Sequence, residues 1–271
     1  MSVTEKLFVV VDPSDDEHIA LQRGIITAQL RDPRPELYVF VAVDSESVDT
    51  RVINDNLFRD RNWFDEQIHQ PLEEKGLEYQ IEVSWCSEWQ ESISQAASRF
   101  GADFILIPAH AKSNTRRFTF SESKWSLLKN AQCPVILVRP GAKEQRKTVL
   151  AAVNFQATRE SQLELNKEIL EVGTALAQGY GANFHVVNGY LDSLHYPDRG
   201  KLAKQTGLSA DKIHVKQGYT DEVVAEVAKK IEADVVIIGT LGQTGRKKTR
   251  RGNTAERVIA GLDVDVIVVN T

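Results

Sequence analysis

Short runs of Val, Ile, Leu and Phe recur along this chain, each followed by a polar or amphipathic stretch long enough for a helix and a turn. In the first half the runs are Lys6 to Val11, Leu37 to Val43, Tyr79 to Val83, Phe104 to Ile107 and Val135 to Val138. In the second they are Thr148 to Val153, Asn183 to Val187, Ile213 to Val215, Val235 to Ile238 and Val266 to Val269. Near-continuous apolar runs of this length read as strands buried on both faces, which is the habit of parallel sheets. Strands alternating with helices predict right-handed crossovers and an open sheet with helices on both faces. The segment from Arg139 to Lys147 has the Pro, Gly and charge content of a linker. It predicts two domains, 1–141 and 142–271, each an α/β unit with five parallel strands.

The two halves also repeat one another. Ala102-Asp103-Phe104-Ile105-Leu106-Ile107 reads onto Ala233-Asp234-Val235-Val236-Ile237-Ile238, an offset of 131, and the same offset carries Pro134 to Val138 onto Asp265 to Val269. Between them Leu127, Leu128 and Ala131 fall on Val258, Ile259 and Leu262, so the apolar face of the intervening helix is kept. A shared register over this length signals a duplication. The last strand of each half is apolar and expected at a sheet edge, where an uncovered strand invites aggregation. The simplest cover is the other half, packed as a pseudo-dimer about an approximate twofold axis.

Composition narrows the function classes. With 271 residues, 42% hydrophobic and 26% charged, the chain fits a soluble globular protein of two cores. No apolar run reaches the roughly 18 residues of a membrane span. The opening residues, through Asp16, lack the features of a secretory signal, so a cytoplasmic location is expected. Cys86 and Cys133 have no metal-type spacing and read as ordinary thiols. A net charge of −5 argues against nucleic acid as a partner, one local basic segment aside.

That segment follows the fourth strand of the second half, where an open parallel sheet binds its ligands. Gly239 and Gly242 open the loop and free backbone N–H groups for phosphate oxygens. Arg246, Lys247, Lys248, Arg250 and Arg251 then lie among the nine residues between Gly242 and Gly252, a charge density suited to a polyphosphate. Asn253 or Thr254 is placed to cap the next helix, whose N-terminus attracts an anion. From spacing alone, a glycine turn with a solvated basic loop is the commoner reading, and it is the position at the end of a parallel strand that favours phosphate.

The spacing G-x2-G-x9-G at Gly239, Gly242 and Gly252 resembles the ATP-binding signature of the universal stress protein family. The strand openings at Leu7 to Pro13 and Val149 to Asn154, with Gly252 to Glu256, are similar to its tandem E-type members. The resemblance covers nearly the whole chain. It implies an adenine nucleotide hydrolase-like fold, strand order 3-2-1-4-5, a role in stress survival, and ATP or another adenine nucleotide as ligand, with Mg²⁺ only as the nucleotide's companion. Carried over by position, Gly239, Thr240, Gly242, Arg246, Gly252, Asn253 and Thr254 would surround the phosphates. Asn154 would read the purine edge, where ATP-binding members use Asp, and Val186 would lie against the base. An amide offers both a donor and an acceptor for that task.

The first half departs from the pattern. At the same offset Pro108, Ala111 and Ser121 replace the three glycines, so the cradle is lost although Asp12 is kept. Its pocket is expected to be vestigial or to take a different, apolar ligand, the latter suggested by Phe118, Phe120 and Trp125. The acids Asp12, Asp15, Asp16 and Glu17 suit the first turn of a helix. The six histidines, His110 among them, are scattered, and no nucleophile elbow or Walker loop occurs. A non-catalytic nucleotide-binding stress protein is therefore the leading reading. The alternative is a scaffold or interaction protein without tight nucleotide binding.

Overall fold

The computed structural model describes residues 4–44, 61–86, 88–109, 122–141, 143–241 and 254–270. Proximity divides the chain into two compact units, one built chiefly from residues up to Ala142 and the other from Lys143 onward.

The first unit runs β1 (Lys6–Val11), α1 (Ile19–Leu30), β2 (Glu36–Asp44), α2 (Arg61–Phe64), a π turn (Asp65–His69), α3 (Gln70–Glu73), β3 (Tyr79–Cys86), α4 (Trp89–Phe100), β4 (Phe104–Pro108), α5 (Glu122–Asn130) and β5 (Val135–Val138). Its strands are ordered β3-β2-β1-β4-β5, and every pairing is parallel. The second runs β6 (Thr148–Ala152), α6 (Glu160–Tyr180), β7 (Asn183–Tyr190), α7 (Arg199–Thr206), β8 (Ile213–Gln217), α8 (Thr220–Lys230), β9 (Val235–Thr240), α9 (Thr254–Ala260) and β10 (Asp265–Asn270), with short 3₁₀ turns at Ser193–His195 and Ala210–Lys212. Its order is β8-β7-β6-β9-β10, again parallel throughout. Each unit thus has the expected order 3-2-1-4-5.

Helices cover both faces of the second sheet. Phe184 meets α6 at Gly173, whereas Gly189, an odd number of positions further along β7, lies against Thr220 at the start of α8. Side chains alternate along a strand, so the two helices occupy opposite faces. The core is the apolar sheet itself: Leu7, Phe8, Val9, Leu106 and Leu137 in one unit, and Val149, Leu150, Ile237 and Ile267 in the other, are at most 1% exposed.

The repeat holds in register as well as in sequence. Leu7 pairs with Phe104 as Val149 pairs with Val235, and Pro108 pairs with Val138 as Gly239 pairs with Val269. The repeated Ala-Asp has a structural reason. Asp103 accepts the backbone N–H of Lys6 at 2.8 Å, while Asp234 accepts those of Lys147 and Thr148 at 2.7 and 3.0 Å and the Lys143 ammonium at 2.6 Å. In each half the acid ties the fourth strand to the start of the first. Burial works against the Asp234 charge, but these donors outweigh it and hold the carboxyl below the usual range. The turn before each acid needs a left-handed residue: Gly101 supplies it at φ 71°, and Glu232, the matched residue, is forced to φ 52°.

One sequence expectation is corrected. The acids at Asp12 to Glu17 do not form the first turn of α1, which starts at Ile19 behind His18 and carries no acid there. Asp12 Oδ1 instead accepts the N–H of Ser14 at 2.9 Å and its hydroxyl at 2.6 Å. A short acid two residues before a free N–H closes a local turn, and that bond wins over continuing into helix.

Several strands also run further than their apolar stretches. β3, β7, β8 and β9 continue through Cys86, Tyr190, Gln217 and Thr240. The extensions lie at the carboxyl ends, where the sheet turns polar.

Candidate functional site

The carboxyl ends of β6, β7 and β9 share one edge of the second sheet, because the strands are parallel and in register: Ala152 pairs with Val187, and Ala151 with Ile237. β9 continues three residues beyond its last pairing with β6, so Ile238, Gly239 and Thr240 stand at the point where the strand order reverses. Ligands of open parallel sheets bind at such a switch point.

Asn154 is exposed in the loop after β6. Its Oδ1 accepts the N–H of Gln156 at 3.2 Å, and its carbonyl accepts the N–H of Ala157 at 3.3 Å. Asp12 builds the same turn with Ser14 and Asp15 in the first unit. Acid and amide are therefore interchangeable in forming the turn and differ in what they leave for a ligand.

Two buried asparagines hold this loop. Asn166, on α6, accepts the Asn154 N–H at 3.0 Å and donates to its carbonyl at 2.7 Å. Asn188, on β7 and 1% exposed, accepts the Phe155 N–H at 2.8 Å and donates to the Gly189 carbonyl at 2.9 Å. Gln156 then bridges the loops after β6 and β7, its Nε2 donating to the carbonyls of Gly189 and His195 at 3.3 and 3.1 Å. A buried amide is tolerated when its donors and acceptors are matched, and the matching fixes the backbone around it. Sequence reasoning missed all three residues. The signal was present: Asn166 falls among the buried Leu165, Ile169 and Gly173 of α6, and Asn188 follows Phe184 and Val186 on the inward-facing alternation of β7.

Gly239 also has a packing reason, beside the one its spacing suggests. A Cβ there would sit 2.7 Å from Leu165 Cγ and Cδ2 and 2.8 Å from Ile169 Cδ1. The glycine lets α6 lie against the backbone of β9. Thr240 is buried at 7% exposure and pairs with Asn270. Val186 is 1% exposed, between Ala151 and Ile213 in the sheet. Thr254 is exposed at the first position of α9, its Oγ1 accepting Arg257 at 3.5 Å, while Arg257 Nε pairs with Asp221 at 3.2 Å. Gly242, Arg246, Gly252 and Asn253 lie outside the described residues, as do His110, Ala111, Phe118, Phe120 and Ser121 of the first half.

The first unit has other residues at the places of these two amides. By register Val41 stands where β7 has Asn188, and Gly24 falls where α6 has Asn166, counting from the first strand. Burial, with Asp103 adding to it, pushes the Cys133 thiol up to about 12, so it is no nucleophile near neutrality. Among the described residues no three His, Cys, Asp or Glu side chains are grouped to hold a metal, and no helix is long and apolar enough to cross a membrane.

Comparison with known proteins gives a consistent result. The profile described as the universal stress protein family matches residues 4–139 and again 145–270. The chain is similar to a Haemophilus influenzae universal stress protein E homolog, 26% identical over 97% of this chain and 96% of that one. It is equally similar to universal stress protein E of Escherichia coli K12, at 26% identity over 99% and 95%. Among solved structures, a universal stress protein from Archaeoglobus fulgidus superposes with a TM-score of 0.69 at 14% identity, covering 98% of each chain. A functionally unknown Pseudomonas aeruginosa protein gives 0.77 at 24% identity, over 98% of this chain and 92% of that one.

Proposed function

Because this chain belongs to the universal stress protein family and carries a family domain in each half, we propose that it is a cytoplasmic stress-response protein that binds ATP or a related adenine nucleotide through residues 142–271. The observation that carries this reading is the conjunction at one sheet edge. The glycine signature begins on β9 at the switch point, and across from it the loop after β6 presents Asn154 on a scaffold of satisfied amides. Asn154 and Gln156 meet a polar ligand with groups that do not titrate near neutral pH, which suits binding better than proton transfer. The role is therefore binding and not catalysis, with Mg²⁺ arriving only on the nucleotide.

Titration calorimetry with ATP tests the assignment. One nucleotide per chain is expected. Gly242→Leu should abolish binding while the chain remains folded, and Ala111→Leu, the matched change in the first half, should leave it nearly unchanged. Two equivalent sites, or loss of binding on changing Ala111 alone, would overturn the assignment. No binding of any nucleotide would favour an interaction protein, whose surface would include the exposed Leu191, Leu194 and Tyr196.

The pairing of the two halves as a pseudo-dimer is proposed on the apolar fifth strands, β5 and β10, each at the end of its own sheet order. Separately expressed 1–141 and 142–271 should associate or aggregate. Two stable, non-interacting monomers in sedimentation would contradict it.

A further inference from the structure

β3 ends the strand order of the first sheet, and among the described residues only β2 pairs with it. An edge strand presents a row of backbone donors and acceptors, and stable folds blunt it by keeping it short or by charging it. The repeat supplies a comparison within the chain. β8, at the matching place in the second unit, is five residues long and carries Lys216, paired with Glu226. β3 runs for eight residues, Tyr79–Cys86, with no Lys, Arg or Pro. The Leu37 N–H bonds to the Glu78 carbonyl, so the even-numbered residues turn their backbone groups to β2. The odd-numbered ones, Ile81, Val83 and Trp85 among them, turn theirs outward, and their side chains share one face of the sheet. The amino end of that face is occupied, with Tyr79 meeting His69 and Glu73 at 2.6 and 3.1 Å. Further along, Val83 and Trp85 are 41% and 48% exposed. On the other face Glu82 is held by Tyr38 and Arg99.

We propose that β3 is a self-association edge, pairing antiparallel with β3 of a second copy of the chain about a twofold axis at Val83. A twofold interface must complement its own reverse, and in this register the strand does. Val83 faces Val83, and Ile81 of each copy faces Trp85 of the other, an aromatic against a β-branched side chain, which is a favoured cross-strand pair. All of these residues turn their backbone groups outward, so each pair exchanges both of its hydrogen bonds. Glu82, the one charged side chain of β3, then faces Ser84. An axis one residue away, at Glu82, would set two carboxylates directly opposite each other, which is unfavourable. The strand thus specifies its own register. A foreign strand would satisfy the same backbone groups, but the side-chain order fits a copy of itself run in reverse. Strands meeting only by their edges bury less than a permanent interface does, so the dimer is a reversible one.

Sedimentation velocity on the full chain across the micromolar range tests the proposal. The mass should rise with concentration from one chain to two. Val83→Lys sets two ammonium groups face to face at an exposed position, and should weaken association about tenfold or more while the urea midpoint shows the chain still folded. A wild-type chain that stays single at every concentration overturns the proposal, as does a Val83→Lys chain that associates as tightly as wild type. The register is read by crosslinking in a Cys86→Ser background. Val83→Cys should give a disulfide-linked dimer under mild oxidation, because the Cα atoms of a hydrogen-bonded antiparallel pair lie about 5.5 Å apart, within disulfide reach. Ser84→Cys, set opposite Glu82, should not. Failure of Val83→Cys to crosslink, or crosslinking at position 84 in its place, overturns the assigned pairing.

Discussion

Replacing Gly239 by alanine separates packing from ligand approach as the reason for a glycine at the first signature position. The added methyl would stand 2.7 Å from two carbons of Leu165 and 2.8 Å from one of Ile169, whereas carbon contacts settle at about 3.5–4.0 Å. Both side chains are 2% exposed, and the nearest atoms include Leu165 Cγ, which cannot swing aside as a chain end can. They must retreat by about 1 Å, and overpacking of this kind costs about 1–3 kcal/mol. Urea unfolding should show a lower midpoint with an unchanged slope. Leu165→Ala alone should cost about 2–5 kcal/mol through its cavity. The double variant should lose less than the two single losses added together, by about 0.5–3 kcal/mol, because the new methyl enters the space the leucine left. If Gly239→Ala unfolded at the wild-type midpoint while nucleotide affinity fell, the packing argument would be wrong.

Glu232→Gly should raise stability by about 1 kcal/mol, since a left-handed conformation costs an L-residue about 1–2 kcal/mol and glycine nothing; an unchanged or lower urea midpoint would contradict the assigned conformation. The stacked His185 and His214, with ring nitrogens 3.1 Å apart, predict a pH dependence. Burial first, then Lys212 beside His185, and His185, Lys230 and Arg199 beside His214, lower both pKa values against the smaller opposing pull of Asp211. Below about pH 6.5 the unfolded chain binds protons on these rings that the folded chain refuses, so stability falls as pH drops through that window. The double variant His185→Gln/His214→Gln should flatten the stability curve between about pH 5 and 7, and an unchanged slope would assign the dependence elsewhere.

Much of the fold was legible because a buried parallel strand must be apolar on both faces and a duplication repeats that demand in register. Legibility stopped where strands turn polar. Asn188, Gly189 and Tyr190 belong to β7 yet carry no apolar run, because the carboxyl edge is where a sheet exchanges packing for hydrogen bonding. The acids before α1 misled for a related reason: helix dipole and side-chain turn make the same request for a short acid, and only coordinates show which was met. At the candidate site, glycine spacing marked the carboxyl end of β9 but not the packing that a glycine at 239 serves, since spacing carries no record of the helix lying against that strand. Asn166 and Asn188 stood in the sequence as polar residues at positions where the helical and strand periods call for apolar ones.

The amide struts beneath the loop after β6 bear on the timing of binding. Ordering a residue of loose chain costs about 1–2 kcal/mol, so assembling the four residues 154–157 around a guest would consume about 4–8 kcal/mol of whatever contacts the guest could make. Here the loop stands assembled in advance, so for a nucleotide bound as proposed its contacts would go toward holding the guest: arrival would be governed by encounter, and residence time would be the adjustable quantity. In the first half Gly24 and Val41 stand at the places of the two amides, and the loop there closes on the Asp12 turn instead.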